Sequence, residues 1–321
     1  MPDAPRTPSA QGRQERIASL HAEIRELAAE RDAVLLAHNY QRAEVQDVAD
    51  FVGDSLGLSR QAAATDATVI VFAGVHFMAE TAKILAPERT VLLPEPRAGC
   101  PMADMLTADQ ARTWKAEHPG LPLVTYVNST AEVKALTDIC CTSANAVEVV
   151  RHIVAETGST RVLFAPDRNL AAWVGSKLPE VEIVAWQGYC PTHDQVTPEM
   201  VRQARAEYPE AEIITHPECR PEVNALADAV LSTSQMIRHA QESAADEFVV
   251  VTEGGLVHAL EKAAPTKRFH ELQPTMICPN MKLTTLEKVR DALLQSQYAV
   301  EVAEDVRLAA LGAVERMVRL G

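Results

Sequence analysis

The chain has 321 residues, 47% of them hydrophobic, with 30 Lys plus Arg against 44 Asp plus Glu, a formal charge of −14 at pH 7. That length exceeds what one compact domain usually holds, so two or three domains are expected. The acidic balance excludes nucleic acid and anionic membrane surfaces as partners, and leaves a small anionic substrate only where a site supplies its own donors.

Residues 1–13, polar and Pro-containing, read as a disordered N-terminal segment with no apolar stretch of a signal peptide. No run along the chain approaches the roughly 18–20 apolar residues of a membrane span. A cytoplasmic protein is expected, in which the six cysteines (100, 140, 141, 190, 219 and 278) serve metal binding or packing rather than disulfides. RIASLHAEIRELAAERDAVLLAHN then gives a helix feeding a strand that ends at His38.

From Ala37 a pattern begins, AHNYQRAEVQDVADFVGDSLGLS, which returns without a gap as TYVNSTAEVKALTDICCTSANAV from Thr125 and THPECRPEVNALADAVLSTSQMI from Thr215. Glu44, Glu132 and Glu222 coincide, as do Val45, Val133 and Val223, and Asp50, Asp138 and Asp228; the offsets are 88 and 90 residues. Two polar columns accompany them, His38/Tyr126/His216 and, 17 residues later, Ser55/Ser143/Thr233. Each copy continues into a buried strand and an amphipathic helix closed by Pro87, Pro179 or Pro265, and then into a short extended run ending at Cys100, Cys190 or Cys278.

Strands alternating with helices of this length predict parallel βαβ units. The expected fold is α/β, with three similar αβα-sandwich domains related by pseudo-threefold symmetry. The boundaries are 14–122 for the first unit, joined by the C-terminal helix 301–321, then 123–212 and 213–300.

Ligands of parallel sheets bind outside the carboxyl ends of the strands, where the His/Tyr/His and cysteine columns both fall. The Ser/Ser/Thr column is expected to N-cap three helices that aim at an anion. Three thiolates with no fourth ligand and no C-x-x-C pattern suit a [4Fe–4S] cluster with one open iron, or a three-thiolate zinc. A non-catalytic iron–sulfur sensor is a third reading, which the many polar strand-end residues disfavour. Cys140 and Cys141 are assigned to packing. Cys219 is placed at the edge of the site without binding iron, and His193 within reach of the cluster region.

The segments AHNYQ (37–41), GDSL (53–56), YVNSTAEVKA (126–135), TSAN (142–145), WQGYCPTH (186–193), HPEC (216–219) and CPNMK (278–282) together resemble the quinolinate synthase family, from about residue 14 to the C-terminus. The resemblance implies three α/β domains in a triangle around a central [4Fe–4S] cluster held by Cys100, Cys190 and Cys278. It implies condensation of iminoaspartate with dihydroxyacetone phosphate to quinolinate in NAD biosynthesis, with an L-aspartate oxidase or dehydrogenase as iminoaspartate source. Substrate contacts carry over to His38, Ser55, Tyr126, Asn128, Ser143, His216, Glu218 and Thr233. Glu218 and Tyr40 are the expected proton-transfer groups, assisted by His38, His216 and Tyr126. Around the third ligand, TMICPNMK holds Cys278 alone, so the disulfide proposed for some family members is not expected.

Overall fold

The structure, a computed structural model, describes residues 10–320. Its first helix spans Ala10–Glu30, so residues 10–13 of the segment expected to be disordered are helical, and residues 1–9 lie outside the described residues. Twelve strands follow in chain order. They are β1 (Ala33–His38), β2 (Phe51–Gly53), β3 (Val69–Ala73), β4 (Thr90–Leu92), β5 (Leu123–Tyr126), β6 (Ile139–Cys141), β7 (Arg161–Ala165), β8 (Glu182–Ala185), β9 (Glu212–Thr215), β10 (Ala229–Val230), β11 (Glu247–Val251) and β12 (Arg268–Glu271).

They form three four-stranded sheets of one topology, ordered β2-β1-β3-β4, β6-β5-β7-β8 and β10-β9-β11-β12, with every neighbouring pair parallel. The inner strands read as unbroken apolar runs, VIVFA in β3 and RVLFA in β7, because helices cover both faces. Side chains from all three sheets meet in one buried cluster, including Phe72, Phe164 and Phe248.

The aspartate column explains how each sheet keeps its register. Asp50 Oδ2 accepts from Leu35 N at 2.8 Å, Asp138 Oδ2 from Leu123 N at 2.7 Å and Asp228 Oδ2 from Ile213 N at 2.7 Å. In return each aspartate N–H donates to the carbonyl of the same residue, at 2.9–3.0 Å. One side chain per unit thereby ties the edge-strand connection to the start of the central strand. The column's Val45, Val133 and Val223 beneath it are buried in the core.

The prolines act as expected. The helices His76–Leu85, Arg168–Lys177 and Gly255–Ala263 each end two residues before Pro87, Pro179 and Pro265, with matching backbone angles at Ala86, Leu178 and Ala264. The C-terminal helix Glu304–Arg319 packs on β6 and on the helices His76–Leu85 and Ala131–Lys134, so it bridges the first and second units. Among the described residues no helix is long and apolar enough to cross a membrane.

Candidate active site

The carboxyl ends of all three sheets open onto one cavity of about 150 Å³. It is lined by each residue singled out in the sequence: His38, Tyr40, Ser55, Tyr126, Asn128, Ser143, His216, Glu218 and Thr233, together with Cys100, Cys190 and Cys278. His193 lines it too. Cys219 does not: it is buried in the third unit's own core, with its thiol toward Val251 O. Cys140 and Cys141 are likewise fully buried in the core.

The three cysteine loops share one construction. The carbonyl two residues before each cysteine accepts from the start of a neighbouring helix: Ala98 O from His76 N, Gly188 O from Arg168 N and Met276 O from Gly254 N, all at 2.8 Å. Each cysteine is followed by an exposed proline, Pro101, Pro191 or Pro279. The turn beyond it aims backbone N–H groups at the sulfur, from Ala103 and Met102 at Cys100, from His193 at Cys190, and from Met281 and Asn280 at Cys278. Burial still dominates and pushes the Cys100 thiol up to about 12, with Cys190 and Cys278 raised for the same reason. Such thiols ionise on binding a metal, and the N–H donors then stabilise the thiolates.

Two loops carry a buried carboxylate as well. Cys190 N donates to Asp167 Oδ2 and Cys278 N to Glu253 Oε1, each at 3.1 Å, and burial raises the pKa of both acids. The equivalent position in the first unit is Val75. Lys282 joins Glu253 at 3.0 Å and also donates to Tyr40 O, linking the third cysteine loop to the first unit. Gly255 permits this approach, since a Cβ there would stand 2.6 Å from Lys282 Nζ and 2.8 Å from Gln41 O.

Buried acid–base groups form a continuous chain across the cavity. Tyr40 Oη lies 2.6 Å from Thr252 Oγ1, which lies 2.8 Å from His193 Nε2; His193 Nδ1 is 2.7 Å from Glu218 Oε2, and Glu218 Oε1 accepts from the Tyr126 hydroxyl at 2.7 Å. Burial would raise the Glu218 pKa, but His193, with the hydrogen bonds from His193 and the Tyr126 hydroxyl, outweighs it and brings the carboxyl down to about 2. Burial lowers His38 and His216 to about 3, so both are neutral imidazoles at pH 7. Burial and the Glu218 charge raise Tyr40 and Tyr126, which keep their protons. His193 Nδ1 is also 3.2 Å from Cys190 Sγ; Cys190, His193 and Glu218 thus form a compact set of possible metal ligands, all within 4.8 Å of one another.

The hydroxyl column departs from its expected role. Helix Ser55–Ala64 is capped by Asp54, whose side chain accepts from Gly57 N, and Thr233–Glu242 by Ser232, which accepts from Gln235 N. Helix Ala146–Thr157 has Asn145 at its cap position, two residues beyond Ser143. In two of the helices capping therefore falls to the preceding residue, in the middle one Asn145 gives no side-chain cap, and Ser55, Ser143 and Thr233 all line the cavity. Ser143 Oγ lies 3.2 Å from His216 Nε2 of the third unit, and Thr233 Oγ1 accepts from Asn39 Nδ2 of the first at 2.9 Å.

Thr252, Asp167, Glu253 and Asn39 were not singled out from the sequence, because none belongs to a repeated column of one residue type. The Cys-Pro dipeptide at 100–101, 190–191 and 278–279 is a signal that the cysteine column contained and that its reading left unused.

A three-unit α/β protein whose central cavity gathers three thiols with acid–base side chains has a site compatible with a metal or an iron–sulfur group. A family model described as Quinolinate synthetase A protein matches residues 22–319. Quinolinate synthase of Thermodesulfovibrio yellowstonii is 53% identical over 298 residues, covering 93% of this chain and 97% of the relative. That of Dehalococcoides mccartyi strain CBDB1 is 54% identical over 297 residues (92% and 97%), and that of Geotalea uraniireducens 50% over 298 residues (93% and 96%). The chain belongs to the quinolinate synthetase A family and is an enzyme.

Proposed function

We propose that this enzyme is a quinolinate synthase of NAD biosynthesis, condensing iminoaspartate with dihydroxyacetone phosphate to quinolinate, phosphate and water. The observation that supports it most is the convergence, in one cavity, of the three repeated cysteines with the strand-end acid–base groups of all three units. Cys100, Cys190 and Cys278 would hold a [4Fe–4S] cluster. One zinc bound by three thiolates needs sulfurs about 4 Å apart. Among the described residues, the three cysteines are not such a compact set, which favours the larger cluster over zinc. When bound, the cluster would supply a Lewis acid at an iron without a protein ligand.

The chain's own groups divide by charge state. Glu218, ionised at neutral pH, is the base, and protonated Tyr40 is the acid, for isomerising the triose and eliminating water. Neutral His38 and His216, with Tyr126, orient or assist these transfers. Ser55, Asn128, Ser143, Thr233 and the adjoining helix N-termini hold the phosphate and the carboxylates. The enzyme works in the cytoplasm, taking iminoaspartate from an L-aspartate oxidase or dehydrogenase.

The test is anaerobic assay of the iron- and sulfide-reconstituted protein with both substrates, following quinolinate. Formation of quinolinate is expected, together with loss of bound iron and of activity in Cys190→Ala. A colourless, zinc-loaded active protein would overturn the assignment.

A further inference from the structure

We propose that Asn39 is a positioning residue that fixes the polarity of the Thr233 hydroxyl, making it a donor reserved for an anionic group of the substrate. This rests on the reading of Thr233 as a phosphate contact and adds to it a residue outside the cavity wall.

Four observations converge. First, Asn39 breaks the repeat. It follows His38 directly, and the residues at the same place after Tyr126 and His216 are Val127 and Pro217, both buried. The fold therefore accepts an apolar residue here, and a polar one is not required by packing. Second, Asn39 is 1% exposed, and its Oδ1 has no hydrogen-bond partner among the described residues. A buried unpaired amide oxygen destabilises the fold, so the side chain is kept for its other end. Third, that other end, Nδ2, donates to Thr233 Oγ1 at 2.9 Å. Fourth, the backbone of Asn39 is clamped: its N–H donates to Gly53 O at 3.0 Å and its carbonyl accepts from Gln46 Nε2 at 3.1 Å. The amide is thus presented in place before any ligand arrives.

The chemistry follows from what a hydroxyl can do. It has one proton and two acceptor lone pairs. With a lone pair taken by Asn39, the Thr233 proton turns away from the amide into the cavity that Thr233 lines. Such a hydroxyl accepts a phosphate or carboxylate oxygen as partner and offers little to a ligand N–H or O–H. A hydroxyl free to rotate would make no such distinction and would lose rotational freedom on binding.

The experiment compares Asn39→Val, Asn39→Asp, Thr233→Val and the Asn39→Val/Thr233→Val pair in the anaerobically reconstituted enzyme. Two quantities are read: KM for dihydroxyacetone phosphate against kcat, and its dissociation constant by calorimetry. Asn39→Val is expected to raise KM about tenfold with kcat within about threefold, and to add nothing when Thr233 is already Val. Asn39→Asp keeps the shape but takes the hydroxyl proton, and is expected to raise KM about a hundredfold. It carries the test alone where Asn39→Val does not accumulate as folded protein. Native KM in Asn39→Asp, or Val effects that multiply in the double variant, would overturn the proposal. Failure of the native enzyme to form quinolinate overturns the reaction assigned above instead; the calorimetric comparison then still decides the role of Asn39.

Discussion

Replacing Glu218 by Gln removes one buried charge and keeps the shape of the side chain. The carboxylate is 3% exposed, takes the Tyr126 hydroxyl at 2.7 Å on one oxygen and faces His193 Nδ1 at 2.7 Å and His216 Nδ1 at 3.6 Å on the other. Burial opposes ionisation, and His193 with the Tyr126 hydrogen bond more than offsets it, so the folded pKa is about 2 against an ordinary 4.5. At about 1.4 kcal/mol for each pH unit, that depression stabilises the fold by about 3 kcal/mol. A depressed carboxyl contributes fully above pH 4.5 and loses its contribution as pH falls through about 2. The amide mimics the protonated acid, so Glu218→Gln should unfold about 3 kcal/mol more easily at pH 7, and the deficit should shrink to about half by pH 3. Urea unfolding of both proteins, prepared without metal, measures it at the two pH values. Equal stability at pH 7, or a deficit unchanged at pH 3, would refute the reasoning.

Three other outcomes follow from the geometry. Gly255→Ala places a methyl 2.6 Å from Lys282 Nζ and 2.8 Å from the Tyr40–Gln41 backbone, and should cost about 1–3 kcal/mol in thermal or urea unfolding while lowering kcat through displacement of Tyr40. Asp138→Ala leaves Leu123 N–H without its 2.7 Å acceptor and should destabilise by about 1–3 kcal/mol with KM unchanged, seen by comparing urea midpoints with steady-state rates. His38 is neutral when folded, with a pKa lowered by burial from 6.5 to about 3, so it weakens the fold progressively as pH drops from 6.5 to 3; His38→Asn should flatten that part of the stability curve.

The repeat made the architecture legible, because an offset of 88 or 90 residues fixes equivalent strands without any knowledge of contacts. It also located the three thiols and the strand-end polar groups, which one cavity brings together. The aspartate column was visible as a coincidence, and only the bonds to Leu35, Leu123 and Ile213 show what it does. The capping assignment missed because sequence marks a helix start only to within a residue or so. Asp54 and Ser232 are capping types as good as Ser55 and Thr233. Thr252, Asp167, Glu253 and Asn39 stayed hidden for a different reason. Thr252 and Asn39 act across boundaries between units, and a contact between Asn39 and Thr233, 194 residues apart, leaves no periodic trace; Asp167 and Glu253 act inside their own units, at a place where the first unit has Val75.

The chain of groups from Tyr40 through Thr252, His193 and Glu218 to Tyr126 passes through the first, third, second, third and second units in turn. Every one of the four links joins the third unit to another, one to the first and three to the second, so no unit by itself contains a link. A polypeptide with two units folded would therefore present some of the site's thiols while lacking a complete path for protons. Full acid–base competence is in this sense a property of the docked trio, present only where all three sheets meet.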